Sequence, residues 1–154
     1  MVQAKPDGYP SVIPYLIVRD GAAAIAFYRG VFGARERLRI PGRNGRIGHA
    51  EIEIGDSVVM LADEAPEHGA FAPAGDGHGS ITLHLYVDDA DAVASAAEQA
   101  GAKTLRPVAT QFYGDRTGAF TDPFGHVWHV STHVEDVPPD ELSRRAAAAM
   151  AKGG

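Results

Sequence analysis

The chain has 154 residues, of which 45% are apolar and 22% are charged, a composition typical of one globular domain rather than a disordered chain. Its formal net charge of -6, without any Lys-rich or Arg-rich run, argues against a nucleic-acid partner. There is no cysteine and no apolar run of signal-peptide or membrane-spanning length, so disulfides are excluded and we expect a cytoplasmic protein without a membrane partner.

The first elements in chain order are a strand and a helix. The run at residues 12–18 is apolar and rich in β-branched residues, which predicts a strand. Asp20 is placed to cap an alanine-rich helix over residues 22–32, whose apolar side chains recur at three and four positions. Gly33 is expected to end that helix.

A β-hairpin follows and completes a first module over about residues 12–63. Residues 49–54 alternate polar and apolar side chains, which is typical of a strand with two different faces. The turn at Gly55 and Asp56 leads into a second apolar strand at residues 57–61.

The same order returns in a second module over about residues 80–132. A connector at residues 62–79 has no hydrophobic periodicity. After it, residues 81–87 predict a strand, and Asp89 is placed to cap a helix at residues 90–100.

The rest of the second module is predicted from shorter signals. A short strand is expected near residues 103–108, then a polar and aromatic loop at residues 111–116. The turn at residues 122–125 precedes a strand at residues 126–131. The charge order of residues 138–152 predicts a C-terminal helix.

The repeat predicts an α+β fold with two β-α-β-β-β modules in a single domain over residues 1–154. A half-sheet that carries its helix on one face leaves the other face uncovered. We therefore expect two curved half-sheets to form a half-barrel around a central trough that holds a small molecule.

Four segments carry a family resemblance: the strand end at residues 17–20, the helix residues 26–34, the hairpin at residues 48–61 and the run at residues 121–126. Together they resemble the vicinal oxygen chelate superfamily, also called the glyoxalase/bleomycin-resistance/extradiol-dioxygenase fold. The helix motif and the Asp-Pro-Phe-Gly-His run are similar to its PhnB-like branch. The resemblance implies the curved half-barrel and a homodimer, although this fold carries many different chemistries.

The resemblance also implies where the superfamily's metalloenzymes place their inward metal ligands, on the first and last strand of each module. The corresponding positions here are Ile13, Thr82, the neighbourhood of Met60, and His129. His129 alone supplies an imidazole, whereas a divalent metal held by nitrogen and oxygen normally needs about three protein ligands. We therefore expect no metal and no other cofactor.

Alternation along the strands predicts which side chains line the trough. His84 and Tyr86 follow an inward Thr82, and His129 faces inward with Trp128 outward. The loop side chains of Phe112, Tyr113 and Arg116 would suit a ligand that has a flat ring and an anionic or carbonyl group. The predicted ligand-binding residues are Tyr15, Thr82, His84, Tyr86, Phe112, Tyr113, Arg116 and His129.

Each of these interpretations has a structural alternative. His84 and Tyr86 could be buried for packing alone, and Asp115 could simply pair with Arg116 or cap the turn. His49, Glu51 and Glu53 share one strand face, which is typical of a solvated surface. A second hypothesis joins His49 and Glu51 with His84 and His129 in a non-standard metal site.

Three functions remain in competition at this stage. The first is metal-independent binding of a small aromatic or heterocyclic molecule, as in a drug- or metabolite-sequestering resistance protein. The second is a metal-dependent lyase, isomerase or dioxygenase of the glyoxalase type. The third is a metal-free enzyme in which His84 or His129 acts as general base. The catalytic residues and the identity of the ligand are not defined by the sequence.

Overall fold

A computed structural model describes residues 1–76 and 79–153 of the chain. The chain divides into two compact units. The first unit comprises Met1–Gly79 and Pro123–His126, and the second comprises Ser80–Asp122 and Val127–Gly154. Residues 77 and 78 of the predicted connector lie outside the described residues.

The first unit is a four-stranded sheet with one helix. Its elements are β1 (Tyr15–Val18), α1 (Gly21–Phe32), β2 (Arg35–Pro41), β3 (Ile47–Ile54) and β4 (Ser57–Asp63). The strand order is β1-β4-β3-β2, with β1 parallel to β4 and the other pairs antiparallel. Short 3-10 turns at Arg43–Gly45 and Pro66–His68 complete the unit.

Helix α1 forms where the sequence predicts it and covers one face of this sheet. The Asp20 carboxylate accepts a hydrogen bond from the backbone of Ala23 over 3.0 Å, and Gly33 ends the helix with a φ of 68°. Phe27 and Tyr28 are buried and pack edge-on against Phe124, which belongs to the same unit. On the helix-facing side of the sheet the buried core is formed by Leu16, Val18, Ala50, Ile52 and Leu61.

The second unit repeats this topology. Its elements are β5 (Leu83–Tyr86), α2 (Ala90–Gln99), β6 (Lys103–Thr110), β7 (Asp115–Thr121), β8 (Val127–His133) and α3 (Pro139–Lys152). The strand order is β5-β8-β7-β6, with β5 parallel to β8. Asp89 caps α2 through a 3.0 Å hydrogen bond from the backbone of Ala92. The α+β class with two β-α-β-β-β modules is therefore confirmed.

Some element bounds differ from the prediction. The first strand begins only at Tyr15, although the apolar run begins at Val12, which is fully exposed before Pro14. The predicted loop at residues 111–116 is wrong for Asp115 and Arg116, which belong to strand β7. Asp115 pairs with His133 and starts strand β7, so the ladder with β8 overrides the polar composition of this segment.

Two further elements complete the comparison with the sequence pattern. The sequence pattern predicts no strand over β2, where four of the seven residues are charged and Leu38 and Ile40 are the only aliphatic side chains. The C-terminal helix α3 forms as predicted, with Pro139 in its first turn and no buried residue. Within residues 1–76 and 79–153, no helix has the length and apolar character needed to cross a membrane.

Candidate functional site

Each sheet has one face that its helix does not cover, here called its open face. On the first sheet, Tyr15 and Glu51 both lie directly opposite Met60 in the strand register. Directly paired residues project to the same face, so Tyr15, Met60 and Glu51 are neighbours on the open face. His49 lies two positions before Glu51 and therefore projects to the same side.

Four side chains on this face form a hydrogen-bonded chain, called here the Glu51 cluster: Tyr9, Tyr15, His49 and Glu51. Tyr9 donates its hydroxyl to Glu51 Oε1 over 2.6 Å, and His49 Nε2 lies 2.9 Å from Glu51 Oε2. The Tyr15 hydroxyl lies 2.8 Å from His49 Nδ1. Glu51, which is 4% exposed, therefore bonds Tyr9 and His49 directly and is linked to Tyr15 through His49.

The charge of Glu51 determines which groups of the cluster donate and which accept hydrogen bonds. Burial opposes ionisation, but hydrogen bonds from Tyr9 and His49 outweigh it and hold the pKa of Glu51 below its ordinary value. An ionised carboxylate can only accept hydrogen bonds. His49 Nε2 therefore carries a hydrogen and donates a hydrogen bond to Glu51. In the neutral imidazole Nδ1 is then the acceptor, and Tyr15 donates a hydrogen bond to it.

The position of Glu51 corrects the sequence interpretation of strand β3. The expectation that His49, Glu51 and Glu53 form a solvated face is wrong for Glu51, because Tyr9 lies over it. Arg37 in turn lies 4.5 Å from the centre of the Tyr9 ring and 3.6 Å from Glu53. No sequence pattern points to Tyr9, which lies 42 residues from Glu51.

A cavity of about 460 Å³ lies in the first unit and shares Tyr15 with the Glu51 cluster. This volume is in the range of small-molecule sites, roughly 300–1,000 Å³. The sheet contributes a mainly apolar floor, and the β2–β3 connection and residues 65–70 contribute the remaining lining. The apolar and aromatic lining residues are Tyr15, Ile17, Ile47, Ala62, Ala65 and Ala70.

The charged and titratable residues that line the cavity are Arg43, Arg46, Asp63, Glu67 and His68. Arg46 donates to the backbone carbonyl of Glu64 over 2.8 Å, and Arg43 has no ion-pair partner in the described part of the chain. The acidic Asp63 is already occupied, since its two oxygens accept from the backbone of Gly21 and Ile47 over 2.7 and 2.6 Å. The two guanidinium groups are therefore the groups that can receive an anionic substituent.

The open face of the second sheet brings together three of the predicted ligand-binding residues. His84 lies opposite His129, and Tyr86 lies opposite Ser131. The two imidazole rings are parallel, with their centres 6.0 Å apart, and His84 Nε2 lies 2.9 Å from the Ser131 hydroxyl. Burial, with Arg106 and His84 nearby, lowers the pKa of His129, so its imidazole stays neutral at neutral pH.

A second buried carboxylate lies beside these residues. Asp115 is 5% exposed and accepts hydrogen bonds of 2.7 Å from the Tyr86 hydroxyl and from His133 Nδ1. His133 Nε2 lies 2.7 Å from Asp136, so this imidazole bridges two carboxylates. The alternative in which Asp115 pairs with Arg116 is wrong, because Arg116 bonds Asp91 of α2 over 2.6 and 2.8 Å.

The remaining predicted ligand residues lie at other places. Phe112 and Tyr113 precede β7, and their rings meet edge to face with centres 5.3 Å apart. Thr82 precedes β5 and is exposed. Arg116 points to α2 rather than to the open face. Ligand contact by these residues stays a prediction, and sequence reasoning missed the cavity residues Arg43 and Arg46.

Comparisons with known proteins agree with this architecture. The family model described as the Glyoxalase/Bleomycin resistance protein/Dioxygenase superfamily matches residues 11–130. An uncharacterized protein of Mycobacterium bovis is 38% identical over 148 residues, which cover 94% of this chain and 95% of that relative.

Two solved structures are similar in fold. TioX from Micromonospora sp. ML1 has a TM-score of 0.64 at 26% identity and covers 81% of this chain and 99% of its own. A Bacillus cereus PhnB protein, described as a putative 3-demethylubiquinone-9 3-methyltransferase, has a TM-score of 0.63 at 18% identity. That match covers 80% of this chain and 99% of the PhnB chain and shows the fold alone.

Proposed function

The chain belongs to the glyoxalase/bleomycin resistance protein/dioxygenase superfamily, and from that premise we propose that it binds a small aromatic or heterocyclic molecule without a resident metal ion. The observation that carries the proposal is the cavity of about 460 Å³ in the first unit. A mainly apolar enclosure with a few polar groups at one side is the usual form of a small-molecule site.

The lining of the cavity supports a ligand with two different ends. A flat ring would pack on the sheet floor, where Tyr15, Ile17 and Ile47 provide aromatic and aliphatic surface. A carboxylate, phenolate or similar group would be oriented by Arg43 and Arg46. Sequestration of a drug or metabolite in the cytoplasm is the function that we propose for such a binder.

At the positions that hold metal in the superfamily's metalloenzymes, the residues of this chain do not suit a metal ion. Ile13 has no donor atom, and Met60 offers a thioether rather than nitrogen or oxygen. Among residues 1–76 and 79–153, no group of three His, Asp or Glu side chains is placed to hold a metal ion.

A metal-free enzyme is the second candidate, and one observation favours it. The lowered pKa of His129 keeps its imidazole unprotonated, which a general base requires. His84, parallel to it at 6.0 Å, is the other histidine of this face. A lyase or isomerase of this kind would show a rate that falls as His129 is protonated at acidic pH, and a His129→Gln variant would lose that dependence.

A homodimer remains part of the proposal. Tyr15 is 47% exposed and Tyr86 is 60% exposed on the open faces of their sheets, so aromatic surface is available in both units. Native mass spectrometry of protein purified without chelators would report the oligomeric state, any retained metal and any bound metabolite together. A divalent metal retained at one per chain would contradict the proposed function.

Filling the cavity tests the binding site directly. Ala70 lines the cavity, whereas Ala74 is exposed and lies outside its lining. We expect an Ala70→Phe variant to lose any compound that co-purifies with the wild-type chain and the matched Ala74→Phe variant to retain it, with unchanged circular dichroism in both. Equal retention by the two variants would place the ligand elsewhere.

A further inference from the structure

We propose that Tyr15, His49 and Glu51 form a proton-accepting relay beside the cavity, and that the ligand is a weakly acidic aromatic molecule bound as its anion. Phenols and hydroxy-heterocycles have the required chemistry, because one O–H group on a flat ring can lose its proton. The inference rests on the proposed binding function, which it deepens by naming the ligand class.

The first step of the argument is the direction of the hydrogen bonds. Glu51 accepts from His49 Nε2 over 2.9 Å, so in the neutral imidazole Nδ1 is the acceptor for the Tyr15 hydroxyl 2.8 Å away. The Tyr15 hydroxyl therefore donates its hydrogen bond to His49. The lone pairs of the Tyr15 oxygen can still accept a hydrogen bond. Within the described part of the chain, that oxygen makes no other hydrogen bond. An O–H donor of a ligand is the natural complement of this oxygen.

The second step is the transfer itself, which needs no further reactant. The O–H bond of the ligand breaks, and its proton passes to the Tyr15 oxygen as the Tyr15 proton passes to His49 Nδ1. The electron pair of the broken bond stays on the ligand oxygen. Tyr15 ends neutral, His49 becomes an imidazolium and the ligand becomes an anion, so the total charge of the site is unchanged.

The third step is the stabilisation of the separated charges. The imidazolium would lie against Glu51, which is 4% exposed, and a charge-assisted hydrogen bond is stronger than a neutral one. The anion would lie in the cavity that Arg43 and Arg46 line. Tyr15 cannot act alone, since burial and the nearby Glu51 raise the pKa of its hydroxyl.

Other charged groups lie near the relay. Near the Glu51 cluster these are Arg37 and Glu53, and around the cavity they are Arg43, Arg46, Asp63, Glu67 and His68. Asp63 is held by two backbone N–H groups. None of these side chains bonds to Tyr15 or His49 in the described part of the chain. No charged group among them therefore competes for the hydrogen bonds of the relay.

The experiment uses 4-nitrophenol, whose absorbance distinguishes the phenol from the phenolate. The full chain is mixed with the dye about one pH unit below the pKa of the free dye, and equilibrium dialysis gives the bound amount. We expect the bound dye to carry the phenolate band. In His49→Gln and Tyr15→Phe variants the ratio of bound phenolate to bound phenol should fall by about tenfold or more. Glu53→Gln, a charge change on the same strand outside the relay, should leave that ratio unchanged.

The possible outcomes separate this inference from the function on which it rests. Failure of the dye to bind in dialysis would overturn the aromatic-binding function and this inference with it. Binding of the dye as the neutral phenol would overturn the relay alone. A phenolate band that persists in both His49→Gln and Tyr15→Phe would also overturn the relay, because Arg43 and Arg46 would then suffice.

Discussion

Tyr86 donates its hydroxyl to the carboxylate of Asp115 over 2.7 Å, and this carboxylate is almost fully buried on the open face of the second sheet. The first sheet has a similar relationship between Tyr9 and Glu51. In each unit a histidine bonds the second oxygen of the buried carboxylate, His133 in one and His49 in the other. Both open faces therefore carry an ionised group whose solvation is replaced by protein donors.

The buried carboxylate of Glu51 should matter for stability, whereas that of Glu53 should not. Glu51→Gln replaces one acceptor oxygen by an N–H donor that faces His49, so we expect a loss of about 1–3 kcal/mol in the free energy of unfolding by urea. Glu53→Gln, at a partly exposed ion pair with Arg35, should change it by less than about 0.5 kcal/mol.

Acidic pH should remove the contribution of Glu51 to the free energy of unfolding. Its pKa is lower in the folded chain than in the unfolded one, so the stabilisation is present above the unfolded value and is lost as the pH falls through the folded value. The difference between wild type and Glu51→Gln should therefore shrink toward acidic pH. A difference that is constant with pH would contradict ionisation of Glu51.

His133 should titrate above an ordinary histidine. The hydrogen bonds to Asp115 and then Asp136 raise the pKa of His133. We expect Asp136→Asn to lower the His133 pKa in an NMR titration of the ring, and the matched Asp140→Asn in α3 to leave it unchanged. Identical titration curves for the two variants would show that Asp136 does not hold the imidazolium.

The sign of the linked stability follows from that raised pKa. The stabilisation by His133 is fully present below the unfolded histidine pKa of about 6.5 and is lost as the pH rises through the higher folded value. Wild type should therefore lose its advantage over Asp136→Asn as the pH rises through this window, as measured by urea midpoints. An advantage that grows with pH would contradict the assignment.

Arg145 should hold helix α3 in place. It bonds Glu135 over 2.8 Å and the carbonyl of Phe112 over 3.1 Å, whereas Arg144 bonds Glu141 of its own helix. Because α3 has no buried residue, these contacts are its main polar attachment. We expect faster hydrogen exchange in residues 139–152 of Arg145→Gln than of Arg144→Gln. Equal exchange would show that the helix is attached by other contacts.

A pair of glycine substitutions should have opposite effects. Gly114 has a φ of +98°, and a Cβ there would lie 2.2 Å from the carbonyl oxygen of Glu135, so Gly114→Ala should cost more than about 1 kcal/mol. Gly30 is inside α1 with open space around its Cβ position, so Gly30→Ala should stabilise by about 0.5–1 kcal/mol. Thermal unfolding of both variants measures the two effects, and a stable Gly114→Ala would show that the turn can rearrange.

Much of the fold follows from the sequence by itself, because the signals are local. The caps Asp20 and Asp89, the stop at Gly33 and the alternation in β3 each act over a few residues, and their recurrence determines two β-α-β-β-β modules. Strand β2 could not be predicted in this way, because its charged residues adopt the strand conformation through pairing with β3.

The tertiary structure alone decided the candidate site, because its decisive contacts join residues far apart in the chain. Tyr9 buries Glu51 from 42 positions away, and Arg116 turns to Asp91 from 25 positions away. The cavity likewise depends on residues 42–48 meeting residues 62–70. Periodicity tells which face a side chain takes, but burial, pKa and pocket volume depend on which distant groups arrive opposite that face.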